Sequence, residues 1–195
     1  MNQREFFNSM AEKWDNVCKH DSNKINQILD YVCIEEGEKI LDVGTGTGVL
    51  IPFLYSRTGN CGEIIAIDVS EKMLDIAKGK YNFENVKYVN GDVLEIDLPE
   101  GYFDKIICYS VFPHFDDKQL AVSKVSRYLK KGGKFVICHS QSRKAINELH
   151  KNASEAVSSD NLPEAGVIKS FFTNANMDTV VTVDNSEMFV VIAQK

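Results

Sequence analysis

The chain has no apolar run approaching the roughly 18 residues that a membrane-spanning helix needs. Its opening, Met-Asn-Gln-Arg-Glu-Phe-Phe, lacks the apolar core of a signal peptide. Positive charge is also short: 22 Lys and Arg stand against 28 Asp and Glu, for a net charge of −6. That balance provides no broad basic field, which disfavours a nucleic-acid partner. The one local cluster, Lys124, Arg127, Lys130, Lys131 and Lys134, reads as a solvated face. Five cysteines are odd in number and form no CxxC pair, so reduced thiols in a cytoplasmic protein are expected. Cys108 and Cys138 fall in predicted strands and read as small core residues. No internal repeat, low-complexity run or clear linker divides the 195 residues, so one domain with one substantial core is expected.

Against these absences stands one dense motif, Ile40-Leu-Asp-Val-Gly-Thr-Gly-Thr-Gly48, with a second acid, Asp68, closing the run Ile64-Ile-Ala-Ile67. Apolar and β-branched residues around Asp42 suit a short buried strand. The alternate glycines that follow allow positive φ and let a ligand touch the main chain. A helix is expected from near Thr47, with Val49, Leu50, Phe53 and Leu54 on its apolar face and its N-terminal amides toward the ligand. Asp68 falls about twenty residues beyond the last glycine, where an acid accepts from ribose hydroxyls in a doubly wound fold. Register separates the candidate cofactors. A nicotinamide fingerprint has glycine at its first, third and sixth positions, and here the sixth is Val49. Asp42 just before the first glycine would repel a diphosphate and suits a cofactor with cationic groups.

Asp42-x-Gly44-x-Gly46-x-Gly48, Asp68, Gly91-Asp92-Val93 and the segment Tyr109-Ser-Val-Phe-Pro-His-Phe115 occur in this order. On these residues the chain resembles the class I S-adenosylmethionine-dependent methyltransferases, in the small-molecule branch that includes the ubiquinone and menaquinone methylases. The resemblance runs from about Lys39 to about Cys138. It implies S-adenosyl-L-methionine as cofactor and S-adenosyl-L-homocysteine as product. It also implies that Asp42, Gly44, Thr45, Gly46 and Gly48 surround the methionine part, and that Asp68 grips the ribose. Val69 and Met73 would pack on adenine, although Met73 reads equally well as core filler. Asp92, beside Val93, would accept from the adenine amino group, and Tyr109 would close the site at the fourth strand's end. In that family the segment after this strand commonly carries a histidine pair. Here Pro113 replaces its first member and His114 remains.

Beyond the first strand, Lys39 to Val43, alternation predicts strands at Glu63 to Ile67, Val86 to Asn90, Phe103 to Tyr109 and Lys134 to His139. Helices are expected at Glu71 to Lys80, Lys118 to Leu129, Ser142 to Ser158 and near Pro163 to Asn174. Thr179 to Val183 and Met188 to Ala193 read as a terminal hairpin. The fold class is therefore α/β, a doubly wound Rossmann-like sheet. The resemblance implies seven strands in the order 3-2-1-4-5-7-6 with the last strand antiparallel. Residues 1–36 read as a helical cap, with Asn16 to Ser22 joining its two helices, and 37–195 as the core. Phe7 and Trp14 either pack this cap on the core or, as the resemblance implies, line the cofactor and substrate pocket.

The acceptor side rests on fewer residues. His114 and His139 end adjacent strands, and His150 shares a helical face with Arg143 and Asn147. One imidazole is expected to act as general base while Arg143 orients an anionic group on the substrate. Solvent-facing Arg143 and His150 are the competing reading. Three imidazoles also suit a transition metal, but no carboxylate or thiolate stands at ligand spacing, and metal is left unassigned. The expected function is in-line methyl transfer to a small-molecule acceptor. A non-catalytic S-adenosylmethionine-binding partner or sensor stays open. An NAD-dependent oxidoreductase is opposed by the glycine register, Asp42 and the terminal hairpin. Neither the acceptor atom nor the oligomeric state is specified.

Overall fold

A computed structural model describes residues 2–195. Its strands are β1 (Lys39–Val43), β2 (Glu63–Asp68), β3 (Val86–Asn90), β4 (Phe103–Tyr109), β5 (Leu129–His139), β6 (Asp178–Asp184) and β7 (Phe189–Gln194). They form one sheet in the order β3-β2-β1-β4-β5-β7-β6. Pairing is parallel from β3 to β5, whereas β7 runs antiparallel to both β5 and β6. The order and the terminal hairpin are those expected. Asn185 makes the hairpin turn possible, its side-chain oxygen accepting from the amides of Glu187 and Met188.

Alternation along the strands divides the core between the two faces of the sheet. Ile40, Ile64 and Ala66 pack with Ile25, Leu29 and Leu54, whereas Leu41, Ile65 and Ile67 belong to the cluster containing Val122, Ile168 and Phe172. The first face is covered by α3 (Ser22–Val32) and α4 (Ile51–Thr58). On the second lie α6 (Lys118–Val125), α7 (Arg143–Lys151) and α8 (Ala165–Asn174), while α5 (Glu71–Lys80) packs along β3. Cys108 and Cys138 are buried in strands as expected.

Four boundaries differ from the sequence expectation by more than two residues. α4 begins at Ile51 rather than near Thr47, because Gly44, Gly46 and Gly48 take φ of 67°, 55° and 83°, which no right-handed helix contains. α6 stops at Val125 and tightens into a 3₁₀ turn over Ser126–Tyr128, and β5 then starts early, at Leu129, running through Gly132 at φ 81°. α7 ends at Lys151 instead of Ser158: the Asn152 amide closes its last turn, and residues 152–163 form a loop.

The cap consists of α1 (Gln3–Met10), a 3₁₀ turn over Ala11–Lys13 and α2 (Trp14–Val17). A capping box of Asn2 and Glu5 starts α1. No residue of α1 is buried, so polar latches hold the cap in place. Ser70 Oγ donates to Asn8 at 2.6 Å, Thr47 Oγ1 donates to Asp15 at 2.6 Å, and Arg4 pairs with Glu71 at 3.1 Å. The cap thereby sits across the carboxyl ends of the strands, where an open α/β sheet binds its ligand.

Candidate active site

Beneath the cap lies a cavity of about 770 Å³, lined by Val43, Asp68, Gly91, Tyr109 and His139 from the ends of the five parallel strands or just beyond them. At one end the glycine turn supplies the wall. Gly44 and Thr45 donate their amides to Ile67 O at 2.8 and 3.0 Å, which ties the turn to β2. Asp68 reaches back, one carboxylate oxygen accepting from Gly46 N and the other from Ser70 N, both at 2.8 Å. Burial holds this carboxyl above the usual range. A methyl group added at Gly44 would lie 2.3 Å from Val111, whereas at Gly46 the nearest atom within reach is Trp14 Nε1, at 3.9 Å. Gly44 is therefore required by packing, and Gly46 leaves room for a ligand under the indole.

Thr45, Val69, Met73, Asp92 and Val93 also line this end. Met73 is 1 % exposed, serving core and cavity together. One Asp92 oxygen accepts from Leu94 N at 2.8 Å. Two residues expected here stand behind the wall. Gly48 packs against Ala77 and Tyr81, and Asp42 is 1 % exposed, with Oδ2 unpartnered and its carboxyl pushed up to about 7 by burial and by the neighbouring Asp68. Four acids in the lining, Asp68, Asp92, Asp116 and Asp117, suit a cationic ligand. Among the described residues Lys19 is the one Lys or Arg in the lining, which does not suit a diphosphate.

Across the cavity the walls are side chains. Phe7 packs edge-on against Trp14, with ring centres 5.5 Å apart, and against His114, at 5.1 Å. His114 and His150 lie 5.1 Å apart. The helix α7 therefore does carry His150 to the site, and its ring is not solvent-facing. His139 is 1 % exposed, neither ring nitrogen has a partner, and burial beside the other two imidazoles lowers its pKa to about 3. Arg143 stands off the cavity, 3.6 Å from Glu164 and 3.8 Å from Asp184. No group of three His, Cys, Asp or Glu is arranged to hold a metal among the described residues.

A methyltransferase-domain family model matches residues 34–192. Demethylmenaquinone methyltransferase of Staphylococcus aureus (strain MRSA252) is 32 % identical over 138 residues, covering 68 % of this chain and 57 % of the relative. The chain belongs to the class I S-adenosylmethionine-dependent methyltransferase family. It spans less than two thirds of the length of such curated relatives. Among solved structures, an S-adenosylmethionine-dependent methyltransferase from Aquifex aeolicus shares the fold at a TM-score of 0.75 and 20 % identity, over 94 % of this chain and 97 % of that one. A geranyl diphosphate C-methyltransferase from Streptomyces coelicolor A3(2) superposes at 0.72 with 14 % identity, over 89 % of this chain and 75 % of the other.

Within this methyltransferase fold, three polar residues at the acceptor end escaped sequence reasoning. His20, in the segment between α2 and α3, bonds Tyr109 OH through Nδ1 at 2.8 Å, and the same hydroxyl lies 2.7 Å from Ser140 Oγ. Burial raises the Tyr109 phenol, which stays neutral. Asp160 places Oδ2 2.6 Å from His114 Nδ1. One signal was available for His20: the chain has four histidines, and all four line this cavity. Asp160 carries no local motif.

Proposed function

We propose that this chain binds S-adenosyl-L-methionine at the glycine turn and methylates a small, largely apolar acceptor seated between the cap and the histidines. The observation that carries this reading is one cavity with two unlike ends. Gly46 and the acids Asp68 and Asp92 line one end, and Phe7, His114 and His150 the other. When bound, the cofactor supplies an electrophilic sulfonium methyl group. Asp68 holds ribose hydroxyls, Asp92 accepts from the adenine amino group, and the indole of Trp14 covers the turn. Asp42 stands behind the turn, where a cationic cofactor group would favour its charged form over the protonated one that burial favours.

His114 takes the proton that the acceptor loses, while His139, neutral in its buried position, forms part of the wall. Phe7, Val111 and Phe115 exclude water and align the acceptor with the methyl group. Arg143 lies outside the lining, which favours an acceptor without an anion to anchor there. The cap of this single domain is residues 3–17, while α3, expected within the cap, packs on the sheet as part of the core. The five free cysteines support a cytoplasmic setting, and the acidic surface supports a partner other than nucleic acid. No described helix is long and apolar enough to cross a membrane. The test is incubation of the protein with methyl-labelled S-adenosylmethionine and a fractionated metabolite extract. Label is expected in a small-molecule fraction and is expected to be lost with Asp68→Ala. Cofactor binding without transfer to any fraction would favour the sensor reading instead.

A further inference from the structure

One face of α7 grips the loop that follows it. Arg143 sits 3.6 Å from Glu164. Asn147 clamps Leu162 in both directions, donating to its carbonyl at 3.1 Å and accepting from its amide at 2.8 Å. His150 Nδ1 lies 3.2 Å from the Asp160 carbonyl, an acceptor, so this nitrogen donates. The face that the sequence offered to substrate is thus engaged by residues 160–164.

What this grip aims is the Asp160 side chain. Its Oδ2 lies 2.6 Å from His114 Nδ1, with the two side chains only 10 % and 13 % exposed. Gln3 of the cap reaches the same oxygen at 3.4 Å and donates to His114 O at 3.0 Å, so the pair is also tied to a seated cap. An ionised carboxylate accepts and cannot donate, so the proton of this bond must sit on the imidazole Nδ1. A neutral imidazole carries one ring proton, so Nε2 is left with the lone pair.

Resting on the methyl-transfer reading above, we propose that Asp160 is a positioning residue that holds His114 as its Nδ1–H tautomer, with Nε2 the atom that accepts the acceptor's proton. The acceptor's X–H bond breaks toward Nε2, and the freed pair forms the bond to the methyl carbon. The electron pair of the old carbon–sulfur bond remains on sulfur. The proton then rests on an imidazolium whose counter-ion is Asp160. Burial disfavours the charged form of the neighbouring His139 and His150.

Long-range proton–nitrogen NMR of the nitrogen-15-labelled chain, with pH raised until the ring is neutral, reads the tautomer with no acceptor present. The wild-type chain is expected to show His114 protonated at Nδ1 and bare at Nε2. Asp160→Ala should give a mixture of tautomers while its affinity for S-adenosylhomocysteine, by calorimetry, is unchanged. Asn147→Ala, which releases the clamp, should fall between the two. An Nε2–H ring in the wild-type chain, or a tautomer unmoved in a folded Asp160→Ala variant, overturns the proposal. The wild-type spectrum decides even where a variant does not fold. Failure of S-adenosylhomocysteine to bind the wild-type chain would count against the methyl-transfer reading and leave the tautomer result standing.

Discussion

At one end of the cavity, Gly44 and Thr45 donate their amides to Ile67 O and Gly46 donates its amide to the Asp68 carboxylate, tying together two neighbouring strand ends. At the other, Gln3, His114, His150 and Asp160 come from the cap, a 3₁₀ turn, a helix and a loop, and meet through side chains. The first end is fixed by the sheet itself and can be rigid without a ligand. The second depends on a cap with no buried residue in α1 and on a clamped loop, so its geometry changes with whatever seats or releases them. A fold built this way keeps its cofactor chemistry constant and leaves acceptor choice to elements that can vary.

Substitutions can break this comparison. If Asp68 grips two ribose hydroxyls as proposed, Asp68→Ala removes charge-assisted bonds each of order 1.5–3 kcal/mol, so affinity for S-adenosylhomocysteine should fall about 1,000-fold by calorimetry. His114→Ala should leave that affinity unchanged while slowing label transfer by about 100-fold or more. If the two variants lost cofactor binding equally, the division into ends would be wrong. Gly44→Ala probes the rigid end sterically. With φ at 67° and a Cβ 2.3 Å from Val111, it should lower unfolding free energy by about 2 kcal/mol in urea titration. Adding Val111→Ala should recover part of that loss, since the clash is relieved and the backbone strain is not.

Proton linkage gives the gentlest test. His139 has a pKa of about 3 against 6.5 for the ordinary group. Between those values the unfolded chain binds more protons, so stability rises with pH and is lost as pH falls below 6.5. Asp42 has the opposite sign. Its pKa of about 7 against 3.8 means that the folded chain binds more protons between them, and stability falls as pH rises. Because the two windows overlap with opposite signs, thermal unfolding of the ligand-free protein from pH 4 to 7 should show Asp42→Asn leaving a stability that rises with pH and His139→Leu one that falls. Unchanged profiles in both variants would mean that neither group is desolvated as described.

What the sequence made legible follows the same division. The strands announced themselves because alternate residues must face opposite helices, as Ile64 and Ile65 do. The glycine turn and Asp68 were readable because main-chain geometry restricts which residues fit. The start of α4 was misjudged because helix-period apolar residues at Val49 and Leu50 masked the positive φ of Gly48. Asp160 was invisible for another reason: its partner lies 46 positions away, and Gln3 is 111 positions from His114. Nothing local selects an aspartate in a loop for such a contact. Arg143 looked like a substrate anchor because it shares a helical face with His150, but only the His150 end of that face reaches the cavity, and Arg143 meets Glu164 and Asp184.

Asp68 and the glycine turn are proposed to hold S-adenosylmethionine and its thioether product rather than a dinucleotide. Calorimetric titration of the wild-type chain and Asp68→Ala with S-adenosylhomocysteine, and of the wild-type chain with NAD, tests this assignment directly. S-adenosylhomocysteine is expected to bind the wild-type chain and to lose that affinity with Asp68→Ala, and NAD is expected not to bind. Preferential NAD binding, or S-adenosylhomocysteine affinity indifferent to Asp68, would contradict the assignment.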